Sequence, residues 1–95
     1  MEVVNTLGRR KTAVARAYVQ KGNGTIVINN KDYKDYFTTT TLQYKINQAF
    51  NVTKTLGEYD VKVNVKGGGV TGQAEAVRLA IARALVEIDA NHKPA

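Results

Sequence analysis

One junction constrains this chain more than any other stretch. Val61, Val63 and Val65 alternate with Asp60, Lys62, Asn64 and Lys66, and the run stops at Gly67-Gly68-Gly69-Val70-Thr71-Gly72. A period of two is that of a half-buried strand, valines on the core side and polar residues in water. Beyond the glycines, Ala74, Val77, Ile81, Leu85 and Ile88 fall on one helical stripe and predict a helix from about Val70 to Asp89. Leu79, Ala82 and Val86 form a second stripe, so the helix is expected to be covered on two sides. A strand that turns through glycines into a long apolar helix must lay that helix back on a sheet.

The rest of the chain supplies the sheet. Val3, Val4, Thr6 and Leu7 predict a short first strand stopped by Gly8. From Lys11 to Gln20, Ala13, Ala15, Ala17 and Val19 share one face and Thr12, Val14, Arg16 and Tyr18 the other, and the small face lets a helix pack close. Lys21-Gly22-Asn23-Gly24 then reads as a turn into Thr25-Ile26-Val27-Ile28-Asn29, so these two strands are expected to form a hairpin. Asn29-Asn30-Lys31-Asp32 is the next turn. Tyr33, Tyr36 and Phe37 form either one helical turn or a cover for the core edge. Leu42, Ile46, Ala49 and Phe50 predict a short helix with Thr41 as its N-cap, followed by a loop over 51–57. The expected architecture is an α+β two-layer sandwich, a four-stranded sheet with helices on one face, in a single domain over 1–95. The open sheet face is expected to carry Arg16, Lys62 and Lys66.

Function classes narrow quickly. Among 95 residues there is no Cys, which excludes a disulfide scaffold and a Cys-based metal site or nucleophile. His92 stands in a polar stretch near the C-terminus, where a solvated side chain is expected. The carboxylates are scattered and offer neither an acid–base pair nor a metal cluster. No catalytic residue, metal or cofactor is expected. No apolar run approaches the ~18 residues of a membrane span, and the chain reads as cytoplasmic. Fourteen Lys and Arg against eight Asp and Glu give a net charge of +6 and a pI near 9.7, the balance of a nucleic-acid binder.

Two motifs could meet a phosphate. A strand, a glycine loop and a helix N-terminus offer close backbone approach, free N–H groups and a partial positive charge. The phosphate could belong to a nucleotide or to an RNA backbone, and the glycines could equally serve a tight packing turn. A nucleotide P-loop ends in Gly-Lys-Ser/Thr, whereas this one ends Gly72-Gln73-Ala74. The second motif is the run Gly8-Arg9-Arg10-Lys11, continued by Arg16. Arginine forks suit phosphate oxygens, and a solvated charge run at a sheet edge is the plain alternative. Arg78 and Arg83 interrupt the last helix; they either contact RNA or pair with Glu75 and Glu87 along it.

Two stretches resemble one family. Gly67-Gly68-Gly69-Val70-Thr71-Gly72-Gln73-Ala74-Glu75-Ala76, continued by Ala80-Ile81-Ala82-Arg83-Ala84-Leu85, resembles the signature of the ninth protein of the bacterial small ribosomal subunit; Gly8-Arg9-Arg10-Lys11-Thr12-Ala13-Val14-Ala15-Arg16 resembles that family's opening motif. The resemblance implies a ribosomal protein S5 domain 2-like fold with a left-handed βαβ crossover. It also implies a structural role in the subunit head, bound to small-subunit ribosomal RNA beside other head proteins. RNA contacts are implied at Arg9, Arg10, Lys11, Arg16, Gly67, Gly68, Gly69, Gly72 and Gln73, with Arg78 and Arg83 at helix positions often basic in the family. Lys66, at the strand end beside the loop, joins them. The family's long basic tail, which reaches the peptidyl-site tRNA, is expected to follow this helix; the sequence ends at Pro94-Ala95, and a longer source chain is expected. The related kinase-like folds keep a second reading open, a glycine-loop nucleotide-binding fragment, and a basic protein-interaction domain is a third.

Overall fold

The computed structural model describes residues 3–53 and 59–92, with side chains over 3–50 and 59–88. The elements run β1 (Val4–Arg10), β2 (Ala13–Lys21), β3 (Ile26–Ile28), β4 (Lys31–Asp32), α1 (Tyr33–Tyr36), α2 (Thr40–Thr53), β5 (Tyr59–Lys66) and α3 (Val70–His92). The strands make one mixed sheet in the order β1-β2-β5-β3-β4, five where the sequence predicts four. The added strand is the two-residue β4, joined to β3 through Asn29 and Asn30. Both have positive φ, 51° and 68°, as a two-residue type I′ turn demands and as Asn tolerates.

The expected β2–β3 hairpin does not form. β2 pairs instead with β1, antiparallel across Lys11 and Thr12, and on its other side with β5. β5 lies between β2 and β3 and runs parallel to β3, so α1 and α2 belong to the crossover connecting that parallel pair. The glycine turn is held from β5: the Asp60 carboxylate accepts the Asn23 and Thr25 amides at 3.0 and 3.1 Å. Those two bonds hold its carboxyl below the usual value, against a smaller opposing effect of burial.

The two faces separate as the alternations require. Ala13, Ala15, Ala17, Val19, Ile26, Ile28, Val61, Val63 and Val65 are buried under the helices. Phe37, Ile46 and Phe50 from the crossover close the core, and Phe37 meets Tyr36 edge-on at 4.9 Å. Thr39 rather than Thr41 caps α2, its hydroxyl 3.4 Å from the Leu42 amide, and the helix runs three residues beyond Phe50, into the expected loop; 54–57 of that loop lie outside the described residues, as does the His92 side chain.

α3 differs most from its prediction. The main stripe is buried, but Leu79 and Val86 are exposed, and the second buried face is Ala76, Ala80 and Ala84. The reason is Gly8, which continues β1 instead of stopping it. A Cβ there would stand 2.6 Å from the Ala80 nitrogen and closer still to the Ala76 carbonyl. Glycine on the strand and alanine on the helix allow a contact no larger pair could make. Thr6 fixes the same seam by donating its hydroxyl to the Ala80 carbonyl at 2.6 Å.

Candidate nucleic-acid interface

β1 extends through Arg10, so the basic run lies on a strand and its members alternate. Arg10 is opposite Ala13, on the helix side; Arg9 is opposite Val14, on the open side. Lys11 stands in the turn with φ 54°. Three adjacent cations are thereby distributed around one end of the sheet, next to the end of β5 and its glycine loop, since Val14 also pairs with Lys66.

On the helix side the result is an open cup. Arg10, Lys11, Thr12, Lys45, Gly68, Gly69, Thr71, Gly72 and Glu75 line it. Lys45 comes from α2 and pairs with Glu75 at 2.7 Å, while Arg78 reaches the other oxygen of that carboxylate at 3.3 Å. The lysine hydrogen bond chiefly, helped by Arg78 and Arg10 and opposed by burial, holds the Glu75 carboxyl below its usual value. One carboxylate is outnumbered by Arg10, Lys11, Lys45 and Arg78. The cup keeps an excess of positive charge beside the first turn of α3, where backbone N–H groups lack helical partners.

The loop is held open by its own geometry. Gly67 and Gly68 have φ of 80° and 63°. A Cβ on Gly67 would press into the Thr12 carbonyl, so the loop lies directly on the β1–β2 turn; at Gly69 nothing lies within 4 Å of a Cβ position. Gln73 donates its side-chain amide to the Gly67 carbonyl at 3.1 Å and accepts the Tyr36 hydroxyl at 2.8 Å. Tyr36 in turn accepts a bond from Asn29 at 3.2 Å, and the Asn29 amide pairs with Val65 at both its N–H and C=O, 2.9 Å each. A chain of polar contacts thus ties the loop to β3, β5 and α1.

On the open sheet face, Arg9, Arg16 and Lys66 surround a shallow groove whose lining includes Leu7, Val14 and Tyr18. The expected residues therefore fall into groups. Arg10, Lys11, Gly68, Gly69 and Gly72 line the cup, and Arg78 joins it through Glu75. Arg9, Arg16 and Lys66 line the groove. Gly67 and Gln73 shape the loop from within. Arg83 stands apart, donating to the Leu7 carbonyl at 2.9 Å rather than pairing with Glu87 among the described residues. Sequence reasoning missed Lys45, which reads as an ordinary polar position on a short helix; nothing local announces that it faces Glu75 thirty residues on.

Among the described residues no group of three or more His, Cys, Asp or Glu could hold a metal, and no helix is long and apolar enough to cross a membrane. A family model described as ribosomal protein S9/S16 matches residues 8–95. The chain is 62% identical over 89 residues to the small ribosomal subunit protein uS9 of Christiangramia forsetii, covering 94% of this chain and 70% of that protein. It is 57% identical over 95 residues to uS9 of Bacteroides fragilis, covering all of this chain and 74% of the relative. The uS9 of Cytophaga hutchinsonii is 56% identical over 93 residues, with 98% and 73% covered. With both the basic run from Gly8 and the glycine loop inside the matched span, the chain belongs to the ribosomal protein S9/S16 family.

Proposed function

We propose that this protein is a structural, non-enzymatic constituent of the small ribosomal subunit, working in the cytoplasm and anchored to ribosomal RNA through the basic end of its sheet. The observation that carries this is the cup: Arg10, Lys11 and Lys45 come together from a strand, a turn and a separate helix around an open glycine loop. Cations brought together from distant parts of a chain repel one another, and a polyanion relieves that repulsion. The glycines let the phosphate backbone approach, with Gly69 leaving the most room, and the first turn of α3 offers N–H donors. Arg9, Arg16 and Lys66 extend the positive field across the other face. Arg78 supports the cup by sharing Glu75 with Lys45; Gln73 holds the loop's shape. A nucleotide reading lacks support, since Gly72-Gln73-Ala74 has no P-loop lysine.

The protein sits in the head of the subunit beside other head proteins. Contact with the peptidyl-site tRNA belongs to the family's basic tail, outside residues 1–95. Reconstitution tests the role: the protein is mixed with small-subunit ribosomal RNA and the remaining small-subunit proteins, and the particles are sedimented. Stoichiometric incorporation is expected, lost when Arg10, Lys11 and Lys45 are replaced by alanine together. A folded triple variant that incorporates as well as the parent refutes the assignment.

A further inference from the structure

We infer that the groove on the open sheet face is a second RNA subsite, receiving one unstacked nucleotide with Tyr18 as its stacking surface. This rests on the RNA-binding reading above. The register puts Leu7, Val14 and Tyr18 on the solvent side of β1 and β2, half-buried, where a sheet face turned to water ordinarily alternates to polar residues. Arg16 stands between Val14 and Tyr18 on this face of β2, opposite Leu7, and Arg9 and Lys66 flank Val14; all three cations are exposed. Among the described residues no carboxylate lines the groove. The open-face carboxylate of Asp60, farther along β5, is engaged with the Asn23 and Thr25 amides. Arg16 has only a loose 3.4 Å contact with the Asn5 side chain. The hydroxyls of Tyr33 and Tyr36 are tied to Asn47 and Gln73; that of Tyr18 has no partner among the described residues.

A half-buried aromatic ring with an exposed arginine beside it and two more cations beyond fits a ligand with a flat apolar face and a negative backbone, which is an unstacked nucleotide. An acidic peptide would match the cations but leave the ring unused. Tyr18 lies two positions from Arg16, about 7 Å of strand, so a base on the ring leaves its phosphate within reach of the guanidinium. A duplex buries its base faces and cannot use Tyr18, so the occupant is single-stranded RNA, as in a loop or bulge.

The test uses the full chain, a mixed-sequence single-stranded RNA with a central 2-aminopurine, and an unlabelled duplex of equal length. Tyr18→Leu keeps an apolar side chain but loses the ring, and Tyr18→Phe keeps the ring. The expected result is quenching of 2-aminopurine by the parent and Tyr18→Phe and not by Tyr18→Leu. Tyr18→Leu should weaken single-strand affinity about five- to tenfold and leave duplex affinity and the urea midpoint unchanged. Equal quenching and affinity in Tyr18→Leu, or equal losses on single strand and duplex, overturn the subsite while leaving RNA binding intact. Tyr18-dependent binding of polyglutamate in preference to the single strand also overturns it. A parent protein with no salt-dependent affinity for either RNA sinks the underlying RNA-binding reading, and the subsite with it.

Discussion

Alanine at each of the three consecutive glycines separates what the loop does for the fold from what it does for RNA. At Gly67 the left-handed backbone costs an alanine about 1–2 kcal/mol. Its Cβ would also press into the Thr12 carbonyl, whose carbon lies only 3.3 Å away, and backbone yields poorly; overpacking of this kind adds about 1–3 kcal/mol. Gly67→Ala is therefore expected to lose about 2–5 kcal/mol, a large share of the ~5–15 kcal/mol that holds an ordinary domain folded. Gly68 has a similar φ, but its Cβ would stand 3.2 Å from the Ala13 Cβ, the Ala13 amide and the Thr12 hydroxyl. A shift of a few tenths of an ångström relieves that, leaving mainly the conformational cost of about 1–2 kcal/mol. Gly69 has no left-handed φ and no neighbour within 4 Å, so its alanine variant should lose about 0.5 kcal/mol or less. Urea unfolding followed by circular dichroism should rank the variants in that order. RNA affinity should break the ranking: Gly69→Ala puts a methyl group into the cup and is expected to bind about fivefold more weakly at almost unchanged stability, about 1 kcal/mol of affinity. A Gly67→Ala protein as stable as the parent, or a Gly69→Ala protein as damaged as Gly67→Ala, refutes the reasoning.

Further outcomes are expected elsewhere. Gly8→Ala should destabilise by about 2–3 kcal/mol, because a methyl group at the β1–α3 seam meets the helix backbone; a urea midpoint matching the parent contradicts that packing. Tyr36→Phe removes the donor to Gln73 and should cost about 1 kcal/mol, and faster amide exchange over 67–69 is the companion signature. Asp60 and Glu75 both have lowered folded-state pKa values, so each contributes stability that is present above its ordinary value, 3.8 and 4.5 respectively, and lost as pH falls through the lower folded one. The urea midpoint should accordingly decline below about pH 5. Asp60→Asn should flatten that acid limb, and an unchanged limb counts against the turn contacts.

The layers and faces of the fold were legible because they depend on local periodicity. Val61, Val63 and Val65 read as a half-buried strand and are one; Arg16, Lys62 and Lys66 face solvent as expected. Strand order was not legible. Lys21-Gly22-Asn23-Gly24 has the residues of a hairpin turn, but the side chain that holds it, Asp60, comes from a strand nearly forty residues later that takes the neighbouring place. The same limit explains α3. A hydropathy stripe ranks Leu79 and Val86 above Ala76, Ala80 and Ala84, whereas close approach to Gly8 selects the smaller residues for burial. At the site, Arg9 to Lys11 and the glycine loop stood out from residue type alone. Their division between two faces followed only once β1 was seen to continue through Gly8, and Lys45 required the packing of α2 on α3.

The central claim is that cations around the glycine loop neutralise RNA phosphates, and the salt dependence of binding to small-subunit ribosomal RNA tests it most directly. Each phosphate contact contributes about 0.7–0.9 to the slope of log K against log salt. Replacing Arg10, Lys11 and Lys45 with alanine should leave a folded protein whose slope is shallower by about two to three. A folded triple variant with the parent's affinity and slope would contradict the account.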